Sequence, residues 1–255
     1  MRGTTPTMSE SSIDLRDDAP DAADDVVVAR PTPSPVVAGP LAGRLAVVTG
    51  GSGRVGRVVA LRLADAGARV CVIGRDLVRL RATTELAGRD APMLYLQCDL
   101  GSANEVVGLG DFVERFDRPI DLLVHAAGVS VPGTVADGDV ADLDEQYLVN
   151  ARGAFLVTQT FLPQLRQGGG HVVFVAPEPD DPSASTLQAM AAAATRALAT
   201  GLARDEAEHQ VRVSTVSCGT SATPLPPDAL GDAVVDAASL LARHPQLGSL
   251  DLRLG

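Results

Sequence analysis

Lysine is missing from this sequence of 255 residues, and all 21 of its basic side chains are Arg. Any reaction step that needs a side-chain amine is therefore excluded. Tryptophan is also missing, and only 3% of the residues are aromatic although 45% are hydrophobic. A core of this composition must be built from Ala, Val, Leu and Ile, which suits parallel strands covered by helices on both faces.

The chain also has little cysteine, no cluster of basic residues and no apolar run long enough to cross a membrane. Cys71, Cys98 and Cys218 lie too far apart to indicate a metal site or a disulfide framework, so we expect no metal. A net charge of −11 with a pI near 4.7 predicts that the protein binds neither nucleic acid nor an anionic membrane. Residues 1–18 lack the apolar segment of a secretory signal, and we expect a cytoplasmic protein.

Residues 1–42 differ in composition from the rest of the chain. They are rich in Ser, Thr and Asp and contain the segment Pro31-Thr32-Pro33-Ser34-Pro35. Low hydrophobicity combined with acidity and proline predicts a disordered tail. The alternative is a translation start further downstream, for which Met8 is a candidate.

From Leu41 onward, strand-like apolar runs alternate with helical patterns. Because parallel neighbours need crossover helices, this alternation predicts one Rossmann-type α/β domain over residues 43–255. We expect a doubly wound, mainly parallel seven-stranded sheet with six helices on its two faces. The longest helix covers about 142–165. The predicted strands are residues 44–49, 69–73, 93–98, 120–125, 171–175, 211–217 and 250–254.

A glycine-rich turn follows the first predicted strand and opens the first predicted helix. It contains G-x-G-x-x-G at Gly51, Gly53 and Gly56. In this position glycines allow a tight turn and close approach to a pyrophosphate, while the helix N-terminus supplies unpaired N–H groups and a positive dipole end. The turn therefore predicts a dinucleotide site. Its expected cofactor-binding residues are Gly50, Ser52, Gly53, Arg54, Val55 and Gly56.

The end of the second predicted strand indicates which dinucleotide binds. An NAD site usually has an acidic residue here that accepts hydrogen bonds from the ribose 2′-hydroxyl, but this position is Gly74, followed by Arg75. A guanidinium can hold a 2′-phosphate through charge-assisted hydrogen bonds. We therefore predict NADP rather than NAD. Asp76 argues for NAD, but its position favours a helix cap instead.

Taken together, residues 42–255 resemble the short-chain dehydrogenase/reductase family. The glycine-rich turn is similar to the family's T-G-x-x-G-x-x-G form, and the resemblance implies that Asp99 and Leu100 contact the adenine. The segment His125-Ala126-Ala127-Gly128 resembles the family's N-N-A-G motif, in the H-A-A-G form of polyketide-synthase ketoreductases, which lies beside the nicotinamide ribose. Asn150 matches the family's helix Asn, whose implied role is to hold a water of the proton relay.

The chain departs from the family at its catalytic Ser, Tyr and Lys. The Ser position falls on Ala176 or Pro177. Two alignments are open for the Tyr and Lys, either Gln188 with Ala192 or Met190 with Ala194, and neither supplies a phenol or an amine. A phenol with a pKa near 10 needs the help of such an amine at neutral pH. The segment after the sixth strand is also short, so the family's substrate loop is missing or reduced.

Three hypotheses follow. The first is a protein that binds NADP(H) but has lost the usual hydride-transfer machinery and acts as a sensor or accessory protein. The second is an enzyme with a rewired site, either an NADP-dependent oxidoreductase or a non-redox dehydratase or cyclase. The third is a scaffold that no longer binds nucleotide, against which the intact glycine-rich turn argues. Weak candidates for rewired catalysis are Tyr147, His125, Cys218 and His171; we expect His125 to bond to backbone and His171 to lie at the surface.

The family resemblance also implies an oligomer. In the family, the long fourth helix and the fifth helix form a dimer interface, and here the fifth helix carries a run of small residues from Ala189 to Ala194. We expect a homodimer or homotetramer, or a hetero-oligomer with an active member of the family.

Overall fold

The computed structural model describes residues 38–87, 93–113, 118–178, 180–220, 222–244, 247 and 250–252. Most of the predicted tail, residues 1–37, lies outside the described residues, so its disorder stays a prediction. Residues 38–42 belong to the folded unit, because Leu41 is buried in the core and its amide N–H donates to Ala66 O at 2.9 Å. The folded domain therefore begins at or before Leu41, not at residue 43.

A single sheet of seven parallel strands forms the centre of the molecule, in the order β3-β2-β1-β4-β5-β6-β7. This confirms the predicted fold class. The strand order reverses between β1 and β4, where Thr49 pairs with His125, and such a reversal opens a crevice at the carboxyl ends of the strands. The strands are β1 Leu45–Thr49, β2 Arg69–Gly74, β3 Met93–Gln97, β4 Leu122–His125, β5 His171–Ala176, β6 Arg212–Ser217 and β7 Leu250–Leu252.

Helices cover both faces of the sheet. The helices are α1 Arg54–Asp65, α2 Leu77–Leu86, α3 Ala103–Val113, α4 Val140–Gln146, α5 Ala154–Gly168, α6 Thr186–Asp205 and α7 Pro227–Arg243. Helices α1, α2 and α7 pack on one face, and α3, α5 and α6 pack on the other. Within the described residues, no helix is both long and apolar enough to cross a membrane.

The predicted long helix is one continuous helical stretch with a change of geometry in its middle. Between α4 and α5, residues Tyr147–Gly153 form a π-helical turn. Such turns insert an extra residue and redirect the backbone, often at functional sites. Here the π-helical turn contains Asn150. The periodicity of the apolar residues predicted the helix but not this turn.

Aliphatic side chains fill both halves of the core, as the shortage of aromatic residues requires. All five residues of β1 are buried. Phe161 and Phe174 are the two aromatic residues among the largest fully buried side chains, and both lie on the face covered by α3, α5 and α6.

Candidate functional site

The glycine-rich turn is packed so tightly that side chains are excluded from it. A Cβ on Gly50 would lie 2.6 Å from the backbone N of Ala127, and Gly50 adopts a φ of +72°. A Cβ on Gly56 would lie 2.3 Å from Gly50 O. Gly53 caps α1 without any side-chain hydrogen bond, so the first amides of α1 remain available to a ligand. The turn can therefore hold an anion at the end of this helix.

A cleft of about 210 Å³ opens beside this turn, at the carboxyl ends of the central strands. Its lining includes most of the residues expected to bind a cofactor, while Arg54, Val55 and Gly56 lie outside it. Gly56 instead permits α1 to approach the turn, and Val55 packs against the core. The cleft is lined by Gly50, Ser52, Gly53, Gly74, Arg75, Arg79, Cys98, Asp99, Leu100, Ala126, Ala127, Gly128, Val129 and Val149.

The end of β2 carries Gly74 in place of an acidic residue, next to the Ser52 side chain. A Cβ on Gly74 would lie 2.7 Å from Ser52 Oγ. Arg75 and Arg79 line the cleft at this end, and Asp76 caps α2 by accepting the Arg79 N–H at 3.0 Å, as expected. Sequence reasoning missed Arg79, although its place in the first turn of α2 brings it to the same edge of the cleft.

The turn after β3 is held by its own hydrogen bonds. The carboxylate of Asp99 accepts the Gly101 N–H at 3.0 Å, and the Asp99 N–H donates to Glu105 at 2.7 Å. Leu100 is buried beneath the cleft. This arrangement fixes Asp99 at the cleft wall without using all of the hydrogen-bonding capacity of its carboxylate.

His125 is buried and neutral. Its Nε2 lies 2.9 Å from the Thr158 hydroxyl, which donates its own hydrogen to Ala154 O. Nε2 therefore carries the ring hydrogen and donates it to Thr158. Burial lowers the pKa of His125 to about 3, so the ring is neutral at neutral pH and cannot act as a general acid. The expectation that His125 bonds to backbone is wrong, because its hydrogen bond is to the Thr158 side chain on α5.

His171 is also buried, which contradicts the expected surface position. It is 3% exposed, and its Nε2 lies 2.9 Å from Ser214 Oγ on the neighbouring strand β6. Burial and the nearby charge of Arg212 lower its pKa to about 3. His171 is the first residue of β5. It lies at the amino ends of the strands, opposite the cleft, so it has no part in the candidate site.

Asn150 fixes the backbone at the cleft rather than pointing into open space. Its side chain accepts the Val129 N–H at 2.8 Å and donates to Val129 O at 2.7 Å. The carbonyl of Asn150 accepts the Thr195 hydroxyl at 3.3 Å. The backbone oxygen of Asn150 thus already has a partner from α6.

The other two weak candidates are poorly suited to proton transfer. Tyr147 is 56% exposed and does not line the cleft. Cys218 is half-buried against the core, and burial raises the pKa of its thiol. The thiol therefore stays protonated and weakly nucleophilic at neutral pH.

The first turn of α6 presents a carboxamide to the loop that follows β4. Gln188 accepts the Ser185 N–H at 3.0 Å and donates to Ser130 Oγ at 3.0 Å. Ala192, one turn later, is buried, whereas Met190 is half-exposed. This placement favours the alignment in which Gln188 and Ala192 take the Tyr and Lys positions.

A carboxylate that sequence reasoning missed lies after β5. Glu178 accepts the hydroxyl hydrogen of Ser217 at the end of β6, and the Glu178 N–H donates to Gly219 O at 3.1 Å. Ala176 is buried.

Among the described residues, no group of three His, Cys, Asp or Glu side chains could hold a metal ion.

Three comparisons with known proteins agree on the family. A family model described as short chain dehydrogenase matches residues 44–230. "NADPH-dependent aldehyde reductase 2, chloroplastic" of Arabidopsis thaliana is 31% identical over 220 residues, which cover 77% of this chain and 79% of that protein. A metagenomic short-chain oxidoreductase solved in complex with NADP is 27% identical, with a TM-score of 0.75 over 85% of this chain and 99% of that one.

A second relative matches over a shorter region. The "NADPH-dependent aldehyde reductase-like protein, chloroplastic" of Arabidopsis thaliana is 33% identical over 145 residues, and this chain spans 54% of the length of that protein. The match to the family model covers most of the chain and includes the glycine-rich turn, the cleft and α6. This chain therefore belongs to the short-chain dehydrogenase family.

Proposed function

We propose that this chain binds NADP(H) in the cleft at the carboxyl ends of β1 to β4. The observation that carries the proposal is the glycine-rich turn, where side chains are excluded and the end of α1 is uncapped. The Ser52 amide and the amides of the first turn of α1 would hold the pyrophosphate, which Gly50 and Gly53 allow to approach closely. Asp99 and Leu100 would contact the adenine. The segment Ala126-Ala127-Gly128 would lie beside the nicotinamide ribose.

The preference for the phosphorylated dinucleotide rests on the charge at the end of β2. Gly74 leaves no acid to accept hydrogen bonds from a 2′-hydroxyl, and Arg75 and Arg79 supply two guanidinium groups for a 2′-phosphate. The names of two relatives, an NADPH-dependent aldehyde reductase and an NADPH-dependent aldehyde reductase-like protein, support this choice. When bound, the reduced nicotinamide ring supplies a hydride.

We further propose that the usual Ser-Tyr-Lys machinery has been lost. Ala176, Gln188 and Ala192 take the three positions, and a carboxamide cannot donate a proton to a developing alkoxide. On this basis the protein acts as an NADP(H) sensor or as an accessory subunit.

The alternative is an NADP-dependent oxidoreductase with another proton donor, and the reductase names of the relatives favour it. Among the candidates, His125 is buried and neutral, the thiol pKa of Cys218 is raised, and Tyr147 lies outside the cleft. A non-redox dehydratase or cyclase would face the same shortage of acids. These positions favour the non-catalytic function.

An oligomeric partner completes the proposal. Tyr147, Phe155 and Met190 expose about half of their surface on α5, α6 and the π-helical turn, the elements that form the family's dimer interface. We propose a homodimer or homotetramer, or a complex with an active relative, built by the folded domain that begins at or before Leu41. Light scattering at micromolar concentration tests the homo-oligomer, and a monomer would contradict it.

The activity test compares binding with turnover in one sample. Purified protein is first titrated with NADPH by calorimetry, then incubated with NADPH and a panel of simple aldehydes while NADPH absorbance is followed. The proposal predicts binding without measurable aldehyde-dependent oxidation. Turnover at rates typical of enzymes, about 1 to 10³ per second, would establish the oxidoreductase alternative instead.

A further inference from the structure

Arg75, the guanidinium that we assign to the 2′-phosphate, already has an anionic partner within the chain. Its Nη1 lies 3.6 Å from the Glu145 carboxylate. Both side chains are about half exposed, at 57% for Arg75 and 47% for Glu145. The pair therefore sits at the mouth of the cleft, where solvent and ligands both reach it.

Glu145 lies on α4, an element that contributes no residue to the cleft wall. Its carboxylate has no other recorded hydrogen bond or ion pair among the residues that the structure describes. Rotation of this side chain therefore costs little beyond the loss of the pair with Arg75. Glu145 is therefore the anion at this end of the cleft that can turn away from Arg75.

Asp76, the other acid beside these arginines, is held in place by its contacts. Its carboxylate caps α2 by accepting the Arg79 N–H at 3.0 Å and also lies 3.3 Å from Arg79 Nε. This carboxylate is fixed by the helix that it caps. Arg75 and Arg79 together carry two positive charges, which Asp76 and Glu145 neutralise. Asp99 also lines the cleft, and the Arg75 guanidinium becomes available to an incoming phosphate only when Glu145 moves away.

We propose that Glu145 is a specificity-determining residue that competes with the 2′-phosphate of NADP(H) for Arg75. This inference rests on the proposed NADP(H) site. NADPH can engage Arg75 only when the pair with Glu145 opens, and the displaced carboxylate then repels the phosphate. NADH has no 2′-phosphate and leaves the pair closed. Glu145 therefore weakens the binding of NADPH, leaves that of NADH unchanged and narrows the discrimination between them.

The expected effect is modest because the pair is exposed. Exposed ion pairs contribute free energies that correspond to at most about fivefold in an equilibrium constant. We expect Glu145→Gln to lower the Kd for NADPH about three- to fivefold at low salt and to leave the Kd for NADH unchanged. Raising the ionic strength should shrink the difference, because salt screens exposed charges.

The experiment titrates the full chain with NADPH and with NADH by calorimetry. The variants are Glu145→Gln, the control Asp144→Asn, Arg75→Gln, and Glu145→Gln combined with Arg75→Gln. Asp144 is the neighbouring acid on α4 and forms no ion pair with any residue that the structure describes, so its variant removes the same charge without opening the pair. The inference is supported if Glu145→Gln binds NADPH more tightly than the wild-type protein does. It also requires that the double variant bind NADPH no more tightly than Arg75→Gln does.

Two results would overturn the inference while the proposed function stands. The first is wild-type NADPH binding that Glu145→Gln leaves unchanged. The second is an equal gain in Asp144→Asn or with NADH, which would indicate a general charge effect. If the wild-type protein binds no NADPH, the proposed function fails and this inference fails with it, so the two failures are distinguishable.

Discussion

Restoring a phenol and an amine to α6 tests directly why the proposed protein does not turn over. The perturbation is Gln188→Tyr combined with Ala192→Lys, one turn apart on α6. Gln188 faces the loop after β4 through its hydrogen bond to Ser130, so a phenol at this position would face the same side. We expect the double variant to gain aldehyde-dependent NADPH oxidation.

The size of the gain follows from what is restored and what is lost. A positioned general acid contributes about 10² to 10⁴ in rate. Ala176 still leaves the Ser position without a hydroxyl, so we expect the lower end, about 10². Replacing Gln188 removes its bond to the Ser185 N–H, and losing such a capping contact costs about 1 kcal/mol of stability. Lys at the buried Ala192 position adds a further cost, because it enlarges a packed site and brings in a charge, so the variant should fold with a lower melting temperature.

The assay follows NADPH absorbance with a panel of aldehydes, and the matched control is Gln188→Phe combined with Ala192→Met. The control has nearly the same shape but no phenol and no amine. Turnover in the Tyr/Lys variant alone supports the reasoning. A folded Tyr/Lys variant that binds NADPH but shows no gain would refute it, as would a wild-type protein that is already as active.

Two further predictions concern glycine packing and buried histidines. Gly56→Ala places a Cβ against Gly50 O and should cost about 1 to 3 kcal/mol in urea unfolding and weaken NADPH binding. Gly108→Ala on α3, where a Cβ meets nothing within 4 Å, should stabilise by about 0.5 to 1 kcal/mol; equal effects of the two would contradict the packing argument. Because the folded pKa values of His125 and His171 are lowered to about 3, the unfolded chain binds more protons below pH 6.5. The free energy of unfolding should therefore decrease as the pH is lowered from about 6.5 towards 3, by roughly 2 kcal/mol per histidine at pH 5. Urea unfolding that is identical at pH 7 and pH 5 would count against this.

The fold was predictable because its signals are local. The apolar runs of the strands, the glycine-rich turn before α1 and the cap at Asp76 each lie within a few neighbouring residues. The seven-stranded sheet and the placement of Gly50, Arg75 and Asp99 along one cleft follow from these signals and from the rule for parallel crossovers.

The features that sequence reasoning missed depend on residues far apart in the chain. Glu145 pairs with Arg75 across 70 positions, and no local pattern of α4 indicates this contact. His171 begins a strand, which suggested exposure, but its side chain is buried and hydrogen-bonds to the Ser214 side chain on β6. Likewise, Glu178 meets Ser217 because β5 and β6 are neighbours in the sheet. Such contacts require the assembled sheet.

The binding of NADPH and NADH to the wild-type protein and to Arg75→Ala tests the central claim most directly. The account predicts that NADPH binds the wild-type protein at least about tenfold more tightly than NADH, as expected for charge-assisted contacts to a phosphate. Arg75→Ala should weaken NADPH binding enough to remove most of that difference in affinity, and it should leave NADH binding unchanged. Failure of the wild-type protein to bind either nucleotide, or equal binding of both, would contradict the account.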